Sequence, residues 1–286
     1  VYNYTGNIEY WLRRVKDAGY DHRLAERFIT ALRLAGIGGG RVQTYAQFTY
    51  HIMRIMEEEG INTHVAELTK EDIDKIAEAI VSRRRKGRNW SYSTITIALR
   101  TLKRLVHYAK RGEIAEGGDG SYCEEVKHIH PDRYKRKAMR EEKVRVTDLL
   151  TREEFLRMVE AVPKVSRYPL RDRALLYVMY EYAARPSELL NMRVGNVRLY
   201  ENYAEITTEG KTGTKTLAVV LSYNALREWL EQHPERDNPS AFLWYSKTKN
   251  KHGEYRVSYG RLRIFVKKLA EVAGIKKRVW LYLFRH

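Results

Sequence analysis

Between Gly112 and Arg145 the chain drops the helical periodicity that precedes and follows it, and this break constrains the fold more than any other feature. Residues 112–125, GEIAEGGDGSYCEE, are glycine-rich and polar, and residues 127–145, KHIHPDRYKRKAMREEKVR, are densely basic with little periodicity. Such composition reads as a connection between domains. The 286 residues therefore divide into a first domain over 1–111, a basic linker over 112–145 and a second domain over 146–286. Each half must bury its own core, which 43% hydrophobic residues allow.

The first half reads as helices. Apolar residues recur at helical spacing in Ile8–Val15, Leu24–Leu34 and Tyr45–Met56, and the glycines at 36 and 38–40 break the second segment from the third. Thr69, with Asp72 three residues on, marks the start of a helix that runs through Ile80. SRRRKGR, 82–88, is a basic loop carrying Arg83, Arg84, Arg85, Lys86 and Arg88. The last helix, about Ser93 to Arg111, has two faces. Ile95, Leu99, Leu102, Val106 and Ala109 form a core stripe; Arg100, Lys103, Arg104, His107 and Arg111 follow the same period on the other side. A solvated face ordinarily mixes Glu with Lys, but no acid occurs from Ser93 to Arg111. These five cations are expected to meet phosphate, as are the loop cations and Lys135, Arg136 and Lys137 of the linker.

Charge supports a polyanionic partner. The chain carries 53 Lys and Arg against 36 Asp and Glu, a net +17. Residues 1–145 hold 28 basic and 20 acidic groups, and the remainder 25 and 16, so both halves are basic. That pattern favours nucleic acid held by the whole molecule, as if gripped from both sides, over a basic tail on a neutral body. Abundant Lys, Arg and Glu with few Gln fit a thermophilic source, although such a surface needs no large net excess. No apolar run approaches the ~20 residues that cross a bilayer, so no membrane partner is expected. VYNYTGNIEYW has neither a charged n-region nor an apolar h-region, and the lack of an initiating Met leads us to expect residues before Val1. The single cysteine, Cys123, fits a reducing cytoplasm. Cys123, His128 and His130 are spaced irregularly with no fourth ligand nearby, so neither metal nor cofactor is expected.

The second half opens on a capping box, Thr151 with Glu154, before apolar Phe155, Met158, Val159 and Val162. A longer helix is expected over about Arg171–Ala184. NYAEITTEGKTGTKTLAVVLS then alternates around Gly210 and Gly213, predicting a hairpin with strands near 203–208 and 215–221, and helices follow at 222–233 and 258–273. The class is mainly α with a small antiparallel β-sheet in the C-terminal half. Within YEYAARPSELLNMRVGNV, Arg185 precedes Pro186 and so leaves helical geometry, while Pro186 suits a first helical turn. Arg185 thus stands at a helix N-terminus, where backbone N–H groups and a guanidinium favour an anion. Glu188 could cap that helix or orient Arg185. Lys211, at the hairpin tip, could reach a phosphodiester and protonate a leaving oxygen, with Lys215 as its competitor.

These stretches together resemble the tyrosine recombinases, or phage-type integrases. RDRALLYVMYEYAARPSELLNMRVGNV, 171–197, is similar to that family's R-D-x-A-L-L … G-L-R-x-S-E-L-L-x-L-R-x-x-D-V; Gly210-Lys211-Thr212 resembles its hairpin G-K-G/T; AGIKKRVWLYLFRH, 273–286, is similar to its A-G-I … H-D-L-R-H. The resemblance extends to a helical core-binding domain before LTREEF and an α+β catalytic domain after it. It implies metal-free cutting and rejoining of double-stranded DNA at an attachment site through a 3′-phosphotyrosyl link, by a tetramer on DNA. It further implies that Arg185 and Arg285 neutralise the phosphate, that Lys211 is the general acid, that Glu188 supports them and that His286 assists.

Two departures stand out. Tyr282 occupies the first histidine position of H-x-x-R; a phenol donates a hydrogen bond, but a pKa near ~10 makes it a poor proton shuttle. Change at this position resembles the archaeal integrases of viruses and plasmids. The family's attacking tyrosine follows the second arginine, whereas only His286 follows Arg285 here, so the nucleophile is expected beyond His286 and this stretch is expected to be inactive alone. A DNA-binding regulator on the same scaffold and a type IB topoisomerase remain as alternatives.

Overall fold

The computed structural model describes residues 4–285 apart from 86–87, 116–120, 142, 211–212 and 251–252, and gives 84, 85 and 88 by backbone alone. It forms two compact units that part between Lys143 and Val144. Lys86, Lys211 and His286 lie outside the described residues.

The first unit contains α1 (Tyr4–Asp17), α2 (His22–Leu34), α3 (Gly39–Glu58), α4 (Lys70–Ser82), α5 (Tyr92–Arg111), α6 (Glu124–Lys127) and α7 (Pro131–Glu141). Its core gathers the expected stripes: Leu24, Phe28, Leu32, Ile52, Ile73, Leu99, Leu102 and Val106 are all buried. Thr69 and Asp72 cap α4 reciprocally, with the Asp72 amide donating to Thr69 Oγ1 at 3.2 Å and the Thr69 amide to Asp72 Oδ2 at 3.0 Å. Ser91 accepts from the Thr94 amide, and Gly112 ends α5 at φ 77°, a left-handed turn that glycine adopts without strain. The expected loop at 82–88 contains a short antiparallel pair, β1 (Arg84–Arg85) and β2 (Arg88–Asn89).

Residues 112–145 differ most from expectation. Much of this stretch is folded against the first unit: α7 packs along α5, α6 touches α4 and α5, and Cys123, Val126 and Ile129 are buried in the same core. Pro131 opens α7, where its missing N–H costs nothing, and Pro131 and Ala138 are buried with Tyr134 packed beside them. The inward residues of α7, Pro131, Tyr134 and Ala138, carry little hydrophobic signal within a run of charge.

The second unit contains α8 (Arg152–Val165), α9 (Pro169–Tyr182), α10 (Pro186–Asn191), strands β3 (Val197–Leu199), β4 (Ala204–Gly210) and β5 (Gly213–Val219), α11 (Tyr223–Glu231) and α12 (Tyr259–Val272), before a 3-10 turn over Leu281–Arg285. The architecture is mainly helical with a small antiparallel sheet in the order β3-β4-β5. β3 is an addition, since three residues are too few to carry an alternation. In the hairpin Thr208 pairs with Lys215 and Gly210 with Gly213. Ala204, Ile206 and Thr208 turn inward. The Glu181 carboxylate anchors the exit of β5, accepting from the amides of Val220, Leu221 and Ser222 at 2.7, 2.9 and 2.8 Å. Buried Arg171 holds the start of α9, bonding Asp172 and the Tyr245 carbonyl, each at 2.7 Å. Among the described residues no helix is long and apolar enough to cross a membrane.

Candidate active site

Helix α9 ends in a left-handed residue, Ala183, at φ 51°. A non-glycine residue pays about 1–2 kcal/mol for that conformation, and the sharp reversal sets Arg185 at the mouth of α10. Arg185 is extended, at φ −62° and ψ 145°, as a residue before proline must be. Its amide donates to Glu188 Oε2 at 3.0 Å and its Nη1 donates to Glu188 Oε1 at 2.6 Å. Glu188 therefore caps the helix and orients the guanidinium at once, so the two roles considered for it coincide.

The hairpin passes close to this carboxylate, and the charge of Arg285 also acts on it. Burial pushes the Glu188 carboxyl up, but the Arg185 hydrogen bonds and the positive charges of Arg185 and Arg285 bring it below the ordinary carboxylate value. Arg285 thus stands within electrostatic reach of Glu188, and it is exposed at the end of the 3-10 turn that packs on α9 and α12. The hairpin closes from another side. A Cβ on Gly210 would lie 2.9 Å from Glu188 Oε1, so only glycine lets β4 pass this close. Gly210 precedes Lys211, which itself is outside the described residues.

Lys215 stands across from Thr208, with its ammonium 4.9 Å from the centre of the Tyr182 ring. The Tyr182 hydroxyl donates to the Lys215 carbonyl at 2.9 Å and lies 2.7 Å from Thr208 Oγ1. Burial, with a contribution from Glu188, pushes its phenol up. Tyr182 therefore fixes the hairpin and has no free proton for chemistry. Tyr282 is 44% exposed on the terminal turn, between buried Leu281 and Leu283.

In the first unit the expected phosphate-facing residues separate. Lys103 and His107 are only 2% and 3% exposed, which corrects their assignment to an outer face. Lys103 Nζ donates to the Ile129 carbonyl at 3.0 Å and sits 4.6 Å from the Tyr122 ring centre. His107 Nδ1 accepts from the Cys123 amide at 3.0 Å. The folded 121–141 stretch covers both residues, which a reading of α5 alone could not anticipate. Arg100, Arg104 and Arg111 stay at least partly exposed; Arg100 pairs with Asp132 at 2.5 Å, and Arg104 lies 5.5 Å from the Tyr45 ring centre. Arg83 is tied to Glu58, with Nη2 to Oε1 at 2.9 Å, whereas Lys135, Arg136 and Lys137 are exposed on α7. Cys123 and His128 do not converge, since His128 bonds Asp74 at 2.5 Å while Cys123 is buried. Among the described residues no group of three His, Cys, Asp or Glu could hold a metal.

Comparison with known proteins identifies the family. Residues 148–286 match the phage integrase family. The chain is 28% identical over 204 residues to a tyrosine recombinase of Synechococcus elongatus, covering 70% of this chain and 58% of that protein. It is 27% identical over 128 residues to tyrosine recombinase XerA of Pyrococcus furiosus, covering 44% and 42% of the two chains. The chain thus spans about half the length of the curated relatives it matches. The crystal structure of XerH site-specific recombinase bound to difH substrate shares the fold, with a TM-score of 0.57 at 16% identity over 88% of this chain and 68% of that one. The second unit, of which residues 148–286 match, thus belongs to the phage integrase family, among the tyrosine recombinases.

Proposed function

We propose that this chain is a site-specific recombinase that cuts and rejoins double-stranded DNA through a 3′-phosphotyrosyl intermediate. The observation that carries the reading is Glu188, which bonds Arg185, lies against the hairpin and is within electrostatic reach of Arg285. Two guanidiniums beside one anchoring carboxylate suit a phosphodiester whose charge grows in the transition state. Glu188 pre-pays the orientation of Arg185, so less rotamer freedom is lost when phosphate binds. Lys211 at the hairpin tip donates the proton to the departing 5′-oxygen, with Lys215 as the alternative donor. Tyr282 donates a hydrogen bond to the phosphate, and His286 assists. The attacking nucleophile is a tyrosine hydroxyl. The assembly on DNA is a tetramer, and the biological setting is a mobile element of a thermophilic archaeon.

The test is a covalent adduct between the protein and target-site DNA, which the recombinase reading expects. Arg185→Ala should abolish the adduct while leaving most DNA affinity, because other cations hold the duplex. An adduct that survives Arg185→Ala refutes the assigned role. A protein that binds its site and never forms adduct supports the regulator, and relaxation of supercoiled DNA without recombinants supports the topoisomerase.

A further inference from the structure

Helix α10 has Arg185 at its mouth and Glu188 in its first turn, yet it is only six residues long. A helix that short does not hold itself together, so its direction is set by what grips its two ends. At the N-terminal end Glu188 accepts from the Arg185 amide and Nη1. The last carbonyls of a helix lack amide partners four residues on, and here two side chains from a distant stretch bond them. Trp244, fully buried, donates from Nε1 to the Leu189 carbonyl at 2.7 Å. Arg256 Nη1 donates to the Leu190 carbonyl at 3.2 Å and to Asn191 Oδ1 at 2.6 Å.

Arg256 is only 9% exposed, an uncommon place for a guanidinium. Its surroundings fix it firmly. Nε donates to Glu254 Oε2 at 2.8 Å, which balances the charge. Cζ lies 4.9 Å from the centre of the Phe242 ring, and the Arg256 backbone pairs with Tyr245 in an antiparallel bridge. Phe242 pairs in turn with Arg193, just beyond α10, whose guanidinium lies 3.5 Å from the same ring centre. The Leu243 amide donates to the Met192 carbonyl at 2.9 Å. Residues 242–244 are thus stitched to the chain that leaves α10, and Arg256 reaches past them to the helix end. Charge balance needs only Glu254; the bonds to Leu190 and Asn191 go beyond it.

We propose that Arg256 is a positioning residue for the candidate site: by fixing the C-terminal end of α10 it sets where Arg185 and Glu188 stand. A helix of six residues is about 9 Å long, so a shift at one end is passed to the other with little loss. A misplacement of about 1 Å slows a reaction by as much as about 100-fold, even when the altered residue touches no reacting atom. This rests on the recombinase reading for what Arg185 does, and extends it to a residue outside the motifs that carry the family resemblance. Arg256 has no free charge to offer DNA, being buried and paired with Glu254.

Two readouts test this on Arg256→Ala, with Met158→Ala as a control that removes buried packing under α8 instead. The first is a carbon-13 NMR titration of Glu188, whose carboxyl burial pushes up but Arg185 and Arg285 hold below the ordinary value. Arg256→Ala should move it upward as the pair with Arg185 loosens, and Met158→Ala should leave it in place. The second is the single-turnover rate of covalent adduct formation at saturating target-site DNA, well below each variant's melting temperature. Arg256→Ala should lower that rate by about 10- to 100-fold, with DNA affinity nearly unchanged. Arg256→Lys keeps a charge beside Glu254 but lacks the planar fork, so it should fold and fall between alanine and the parent in both readouts. An unmoved Glu188 titration in Arg256→Ala overturns the proposal, as does a rate loss that Met158→Ala matches. If Arg256→Ala does not fold, parent-like behaviour of Arg256→Lys in both readouts overturns it. A parent that forms no adduct refutes the recombinase reading instead, and the Glu188 titration then decides the role of Arg256 by itself.

Discussion

Gly210→Ala probes the candidate site with the addition of one methyl group. The new Cβ would lie 2.9 Å from Glu188 Oε1 and 3.4 Å from Glu188 Cδ, too close for the carboxylate to remain in place. Gly210 is not among the glycines with positive φ, so alanine adds no backbone strain and the cost is steric. The carboxylate cannot swing away freely, since it accepts from the Arg185 amide and Nη1 at 3.0 and 2.6 Å. Losing one charge-assisted bond costs about 1.5–3 kcal/mol. For a unit of this size that lowers the melting temperature by roughly 5–10 °C. If Arg185 then loses its orientation, the same energy slows adduct formation by about 10- to 150-fold. Thermal denaturation of the purified variant and a strand-cleavage time course read the two effects. A thermodynamic cycle isolates the cause: in a Glu188→Ala background, Gly210→Ala should cost almost nothing. An equal cost in both backgrounds would refute the reasoning, because the methyl group would then be clashing with something else.

Two further outcomes follow from buried groups. Lys103→Ala should destabilise the first unit by about 2–4 kcal/mol through lost packing and an unpaired Ile129 carbonyl, measured by denaturant unfolding, while the salt slope of DNA binding stays unchanged; a lower slope would restore Lys103 to the phosphate contacts. The second concerns pH. Burial, the largest influence, holds His107 and His233 below the ordinary imidazole value of 6.5, despite Glu113 raising the former and the Phe242 carbonyl raising the latter. Both use Nδ1 to accept a backbone N–H, from Cys123 and from Glu235. A depressed folded pKa stabilises above the unfolded value and is lost as pH falls through the folded one. Stability is therefore expected to be full above about pH 6.5 and to decline on acidification, and His107→Gln and His233→Gln should each flatten that decline in thermal melts; an unchanged profile in both variants would exclude these histidines as its source.

The sequence by itself determined most of the helices, because each is written locally. Apolar stripes gave α2, α3, α5 and α8, and the residue pairs Thr69–Asp72 and Thr151–Glu154 marked helix starts that the backbone bonds bear out. Gly210 and Gly213 placed the hairpin. The geometry at Arg185 was also legible, since a residue before proline has little choice of backbone. Tertiary structure decided what each of these elements faces. The cationic side of α5 reads as an outer face, but the 121–141 stretch covers part of it, burying Lys103 beneath Tyr122 and Ile129. Helix α7 is hard to read because the residues on its inner side, buried Pro131 and Ala138 and half-buried Tyr134, contribute little to a hydrophobic pattern. Likewise, no spacing along the chain says that Arg185, Gly210 and Arg285 meet at one carboxylate. Local sequence sets backbone geometry within a few residues, whereas burial and charge pairing depend on chain segments that arrive from tens of residues away.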